Sequence, residues 1–273
     1  MDNKLLLISR LSHAQKFFLK NTHDHRFPLA WYMHSHLQQL YAESLAPSPK
    51  PKDRSCLNNL INMINNIFSA VYNIDKLNLS SDWNDNKNTE IQLVYIHYQL
   101  RSLMDEIALF VKHNFGDKTP DSYTQLLAGT KSGKYHKILP DNLRKIFLKY
   151  DEWYEFIRDI RDHYAHHSSR VFIFPSQPNN TSEALFSIQN QKMKSLLIHP
   201  FIQKFAPNIK FNENEAYELQ SYITLILTFL FTFIDEFAKT FITSSNLPEV
   251  ISSNKFFGIY VTWNKKLLDK LYK

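Results

Sequence analysis

The chain predicts a mainly α fold: an antiparallel helical bundle with a small β-hairpin insertion and an N-terminal helical extension. Three observations lead there. Glycine is scarce, 4 in 273 residues, whereas doubly wound sheets, phosphate loops and glycine-punctuated barrels use it freely. Apolar residues recur at i, i+3, i+4 and i+7 through the long segments. The period changes to short apolar runs around turn residues near 170–189, which predicts the hairpin.

Residues 1–50 read as the helical extension, broken near "HDHRFP". After the break, Pro28 suits a first helical turn, and Leu29, Met33, Leu37, Leu40, Tyr41 and Leu45 recur at helical spacing. "APSPKPKD" then makes Pro47–Pro51 a stop and an exposed linker. The bundle is expected over 51–273. Its first helix carries Leu57, Leu60, Ile61, Ile64, Ile67, Phe68 and Val71 on one stripe, with asparagines opposite.

The next helix is expected from about Thr89 to His113, capped by Thr89 or Asn88. Along it His97, Arg101 and Asp105 fall at i, i+4 and i+8, spacing that lets the arginine pair with the carboxylate. A structural ion-pair line between helices is the favoured reading of the three; the other is that they position the motif helix described below. "NFGDKTPDSYTQLLAGTKSGKYHK" holds three of the four glycines and reads as a mobile loop. Its Lys131, Lys134 and Lys137 are candidates for steering an anionic partner, or simply solvated. "LPDNLRKIFLKYDEWYEFIRDIRDHYAHH" is the following helical stretch, with Asp141 as a candidate N-cap.

Beyond the hairpin, an irregular stretch with Pro200 and Pro207 precedes a long helix from about Glu213 to Ser244. Within it, "LQSYITLILTFLFTFIDEF" could be mistaken for a membrane span. Its uncharged core of about 16 residues falls short of the roughly 20 that a bilayer needs, and acidic residues flank it. A central bundle helix, apolar nearly all round, is the better account. The tail "FFGIYVTWNKKLLDKLYK" suits a strand or a docked terminal helix.

A formal charge of +6 favours phosphate-rich partners. One cysteine, Cys56, excludes an internal disulfide framework and a thiolate zinc cage, and fits a reducing compartment. The start shows no secretory signal, so the expected location is the cytoplasm, without a membrane.

"RDIRDHYAHH", residues 158–167, concentrates the chemistry. On a helix, Trp153, Phe156, Ile157, Ile160 and Tyr164 share the buried side, and Glu155, Arg158, Asp162 and His166 line the opposite one. Arg161 lies on one border, where a long side chain reaches around; His163 and His167 lie on the other. A solvated helix face is one reading. A zinc site is a second, from the i, i+4 spacing of His163 and His167. That signal is weak: the glutamate of an HExxH helix is missing, and His34, His36 or Asp162 would have to be recruited by the fold.

The third reading is a resemblance. Arg161-Asp162-His163-Tyr164-Ala165-His166 resembles the R-polar-x-x-x-H signature of the HEPN superfamily, named for higher eukaryote and prokaryote nucleotide-binding domains. Asp162 fills the polar position. The helix "HYQLRSLMDEIALF" resembles the arginine- and acid-bearing helix that often packs beside the motif. The resemblance covers about Leu57 to Thr243; the first 50 residues and the hairpin depart from it.

It implies an antiparallel four- to five-helix bundle and, in many members, a metal-independent endoribonuclease acting on RNA as a homodimer. Toxin–antitoxin or defence roles are among those implied. Arg161, Asp162 and His166 are then the expected catalytic residues, with Arg158, His163 and His167 as second-tier phosphate contacts and no cofactor or metal. His166 would act as base or acid, Arg161 would bind the phosphorus oxygens, and Asp162 would orient either one. The expected product carries a 2′,3′-cyclic phosphate and a 5′-OH. Other members are binding or regulatory modules, often beside a nucleotidyltransferase partner; an antitoxin is the candidate partner in a toxin role, and a helical scaffold would need no motif. Five residues at about 100° each put Arg161 and His166 roughly 140° apart. Either the helix frays near His166 or a second subunit supplies one of the two groups.

Overall fold

The computed structural model describes residues 51–76, 86–166, 170–177, 180–189, 199–206, 210–211, 216–241 and 256–272. The expected extension over 1–50, His34 and His36 included, lies outside them. The described residues are mainly helical, with a small antiparallel sheet. In chain order they form α1 (Pro51–Lys76), α2 (Lys87–Phe115), α3 (Tyr123–Lys131), α4 (Asp141–Lys149) and α5 (Asp151–His166). Then come β1 (Arg170–Gln177), β2 (Asn180–Gln189), α6 (Pro200–Phe205), β3 (Lys210–Phe211), β4 (Ala216–Glu218), α7 (Leu219–Lys239) and α8 (Phe256–Tyr272).

α2 packs antiparallel to both α1 and α5. The start of α1 meets the end of α2, where Cys56 Sγ lies 3.5 Å from His113 Nδ1 and Asn59 donates to Glu106. α5 runs back along α2, so that Arg101 faces Tyr154 and Tyr98 faces Arg161. The predicted α1 stripe is the buried one: Leu57, Leu60, Ile64, Ile67, Phe68 and Val71 are sealed, with Ile61 at its border.

α7 is the central helix. Tyr222 meets His97 and Phe156, Phe233 meets Tyr150 and Trp153, and Phe237 meets Phe110. The helix is long and apolar enough to cross a membrane by composition, yet 88% of that window is buried inside the fold. Two of its buried hydroxyls bond within the helix, Thr224 to the Gln220 carbonyl and Thr228 to that of Thr224, so they cost little to enclose. α8 docks antiparallel on its start: Lys270 bonds Glu218, which also accepts from Ser221, and Lys266 donates to Gln220 at 3.1 Å.

The hairpin forms as expected, with Val171 opposite Ile188 and Ile173 opposite Phe186. These four are buried and share the inner face. The strands also take up most of the expected turn, and two short strands unforeseen in the sequence extend the sheet to the order β1-β2-β4-β3. Pro175 sits on the edge strand at a register shift, where proline removes no needed ladder bond. The sheet joins the bundle through Phe186 against Tyr222, and through the Asn86 amide, which donates to the Ile173 carbonyl at 2.9 Å.

Several boundaries differ from the sequence expectation. α1 begins at Pro51, within the expected linker; proline suits a first helical position, where no N–H is needed. α2 starts at Lys87, so Thr89 is a buried first-turn residue and neither it nor Asn88 is the cap. Asp141 is inside α4, after Pro140, and pairs with Arg144 and Lys145. The expected loop contains α3. Gly129 reads as a loop signal, but a Cβ there would lie 2.2 Å from Tyr135 Cε2, so glycine serves a close approach inside a helix. The last core helix starts at Leu219 rather than near Glu213, because β4 takes up 216–218. The tail is a helix.

Candidate functional site at the end of α5

α5 is amphipathic as its sequence requires. Trp153, Phe156, Ile157 and Ile160 are buried. Tyr154, not on the expected apolar side, is fully buried as well. Its hydroxyl bonds Thr124 at 2.6 Å and its ring lies 5.5 Å from the Arg101 guanidinium carbon. α2, α3 and α5 thus meet at one polar seam. There Arg101 pairs with Asp105 at 2.5 Å, and Asp105 accepts from the Tyr123 backbone N–H.

His97 is not part of that line. It is completely buried; Nδ1–H donates to the Leu93 carbonyl at 2.8 Å, leaving Nε2 to accept from the Tyr222 hydroxyl at 2.6 Å. Burial holds its pKa down at about 4, against the opposing effect of the Leu93 bond. The edge of the Tyr164 ring packs against it at 5.5 Å. The middle of the R-x-x-x-x-H segment is therefore anchored by a neutral histidine in the core.

Arg161 lies on the border of the two faces, as its position on the wheel predicts. Nη1 donates to Asp162 Oδ1 at 2.7 Å, and the guanidinium carbon sits 5.7 Å from the Tyr98 ring centroid. About a third of the side chain is exposed, while Nε is buried without a hydrogen-bond partner among the described residues. Asp162 thus touches the arginine next to it in the chain. α5 continues to His166 without fraying. Their positions on one chain thus stay roughly 140° apart around the helix. For His166 the description stops at the backbone, and His167 lies outside the described residues.

Among the second-tier candidates, His163 is half-buried on α5. Arg158 bonds Glu155 and, at 3.2 Å, Asp159. Asp159 also faces His199 at 3.8 Å; His199 first and Arg158 second hold its carboxyl below the usual range. Lys131 bridges to Asp151 at 2.6 Å, joining α3 to α5, whereas Lys134 and Lys137 are exposed. Among the described residues, no three His, Cys, Asp or Glu side chains are grouped to hold a metal. The zinc reading rests on His167 and so lies outside them.

Beside Arg161 runs a groove of about 370 Å³ between the first half of α2, Tyr164 and Val171. Its walls include Ile91, Tyr95, Tyr98 and Glu90. Sequence reasoning missed it. The aromatic i, i+3 pair Tyr95–Tyr98 was available as a signal, but its position beside Arg161 depends on how α5 packs on α2. No family model matches this chain, and no curated protein or solved structure matches it either.

Proposed function

We propose that the protein is a metal-independent endoribonuclease of HEPN type, acting as a homodimer with Arg161, Asp162 and His166 at its centre. In this reading the 2′-OH of RNA loses its proton to an imidazole as its oxygen attacks the adjacent phosphorus. The P–O5′ bond breaks and the leaving oxygen takes a proton, giving a 2′,3′-cyclic phosphate and a 5′-OH. Arg161 neutralises charge on the non-bridging oxygens.

The reading is supported by the setting of Arg161. An arginine held by its neighbouring aspartate and by a tyrosine face, yet partly open to solvent, sits one turn before a helix end in a mainly helical bundle. A fixed guanidinium with unused donors is suited to phosphate. The test is cleavage of a short RNA in excess EDTA with identification of the termini. Arg161→Ala and His166→Ala are each expected to abolish it while keeping the helical circular dichroism. Cleavage that survives both substitutions would refute the proposal, as would activity that requires added metal.

A second reading, a non-catalytic RNA- or nucleotide-binding module, is favoured by the same helix geometry. With Arg161 and His166 on different sides of an unbroken α5, a lone chain would bind phosphate without assembling both groups around it. RNA binding without turnover is its signature.

A further inference from the structure

We infer that the groove beside Arg161 is a subsite for one unpaired nucleobase bearing an exocyclic amino group. Among the described residues four large apolar side chains stand exposed: Ile91, Tyr95, Leu148 and Tyr272. Two of them, Ile91 at 53% and Tyr95 at 38%, are i, i+4 neighbours in this groove. Most other large apolar groups among the described residues are buried or partly buried, so such a concentration marks a contact surface. The volume of about 370 Å³ falls in the range of about 300–1,000 Å³ found for small-molecule sites.

The walls specify the occupant. Tyr95 and Tyr98 offer aromatic rings, the usual platform for an unstacked base. Arg161 lies against Tyr98 and places a cation with spare donors beside the groove, where the phosphate attached to the base needs one. Lys87 and Glu90 are the charged wall residues, and Glu90 supplies the acceptor. Its side chain is only 9% exposed, and Oε2 accepts from Lys87 at 2.6 Å. A carboxylate has acceptor capacity left after one such bond. An acceptor in the wall meets the amino group of adenine, cytosine or guanine; uracil has no amino group to offer. A peptide would use the apolar wall equally well, but it brings no phosphodiester for the unused donors of Arg161.

The inference rests on the nucleic-acid reading above but not on cleavage. The test is therefore a binding measurement on oligonucleotides that cannot react: 2′-O-methyl tetranucleotides of adenine and of uracil, followed by fluorescence anisotropy with the full chain. The adenine oligomer is expected to bind about tenfold tighter. Tyr95→Ala should weaken that binding about ten- to one-hundredfold, whereas Tyr95→Phe retains it. Glu90→Gln should narrow the preference for adenine.

The inference is overturned if Tyr95→Ala binds like the wild type, or if neither oligomer binds. It is also overturned if Tyr95→Ala changes the oligomeric state and leaves binding untouched, since the groove would then belong to a second copy. Loss of binding in Tyr95→Ala, together with RNA that remains uncut in EDTA, would uphold the subsite and refute the nuclease.

Discussion

His97 shows how one side chain ties the interior to the pH of the medium. The unfolded residue protonates near pH 6.5 and the folded one near 4. Between these values the unfolded chain binds more protons, so stability falls as the pH falls. The His97 contribution is complete above about pH 6.5 and amounts to roughly 3 kcal/mol lost by pH 4. Urea denaturation at stepped pH should show this decline, and His97→Gln should flatten it. Gly129 gives a second residue-scale expectation. Alanine would gain about 1 kcal/mol of helix propensity, but its Cβ would strike the buried Tyr135 ring at 2.2 Å. Overpacking costs about 1–3 kcal/mol, so Gly129→Ala should lower the urea midpoint. The helical spacing of His97 and the presence of Gly129 could be read from the sequence, although they pointed to an ion-pair line and to a loop. Their partners, Tyr222 and Tyr135, could not, since only packing brings them within reach.

At the scale of elements, periodicity located α1, α2, α5, α7 and the hairpin because each has one face that must leave water. It missed α3, whose single glycine mimics a loop, and β3 and β4, which are too short to show a period of two. The docking of α8 was legible only as one of two readings, the other being a strand. It depends on Glu218, whose side chain is 5% exposed and paired with Lys270 fifty-two positions away. Removing one partner strands a buried charge; removing both does not. Lys270→Met should therefore cost on the order of 3 kcal/mol. The double variant Glu218→Gln with Lys270→Met should recover much of that loss, read by thermal melts in a double-mutant cycle. The candidate site followed the same division. The border position of Arg161 was legible on the wheel, whereas its seat on Tyr98 required knowing that α5 lies antiparallel on α2.

For the whole molecule, the unbroken α5 turns the proposed activity into a question of assembly. If the arginine of one copy works with the histidine of another, mixing Arg161→Ala and His166→Ala chains should restore activity, to about a quarter of wild type at most. Sites confined to one chain would give none. Mixed samples assayed after refolding together decide between the two.

The Asn86 amide, bonded to the Ile173 carbonyl, bears on the same end of the molecule. That bond clamps the entry of α2 to the strand emerging just after α5, and Val171 of that strand forms part of the groove. The hairpin thereby works as a strut, holding two helix ends at a fixed spacing on either side of the groove. Asn86→Ala should loosen both ends together, visible as faster amide hydrogen exchange in 170–177 and in the first turn of α2, while the distant pairing of α1 with α2 keeps its protection.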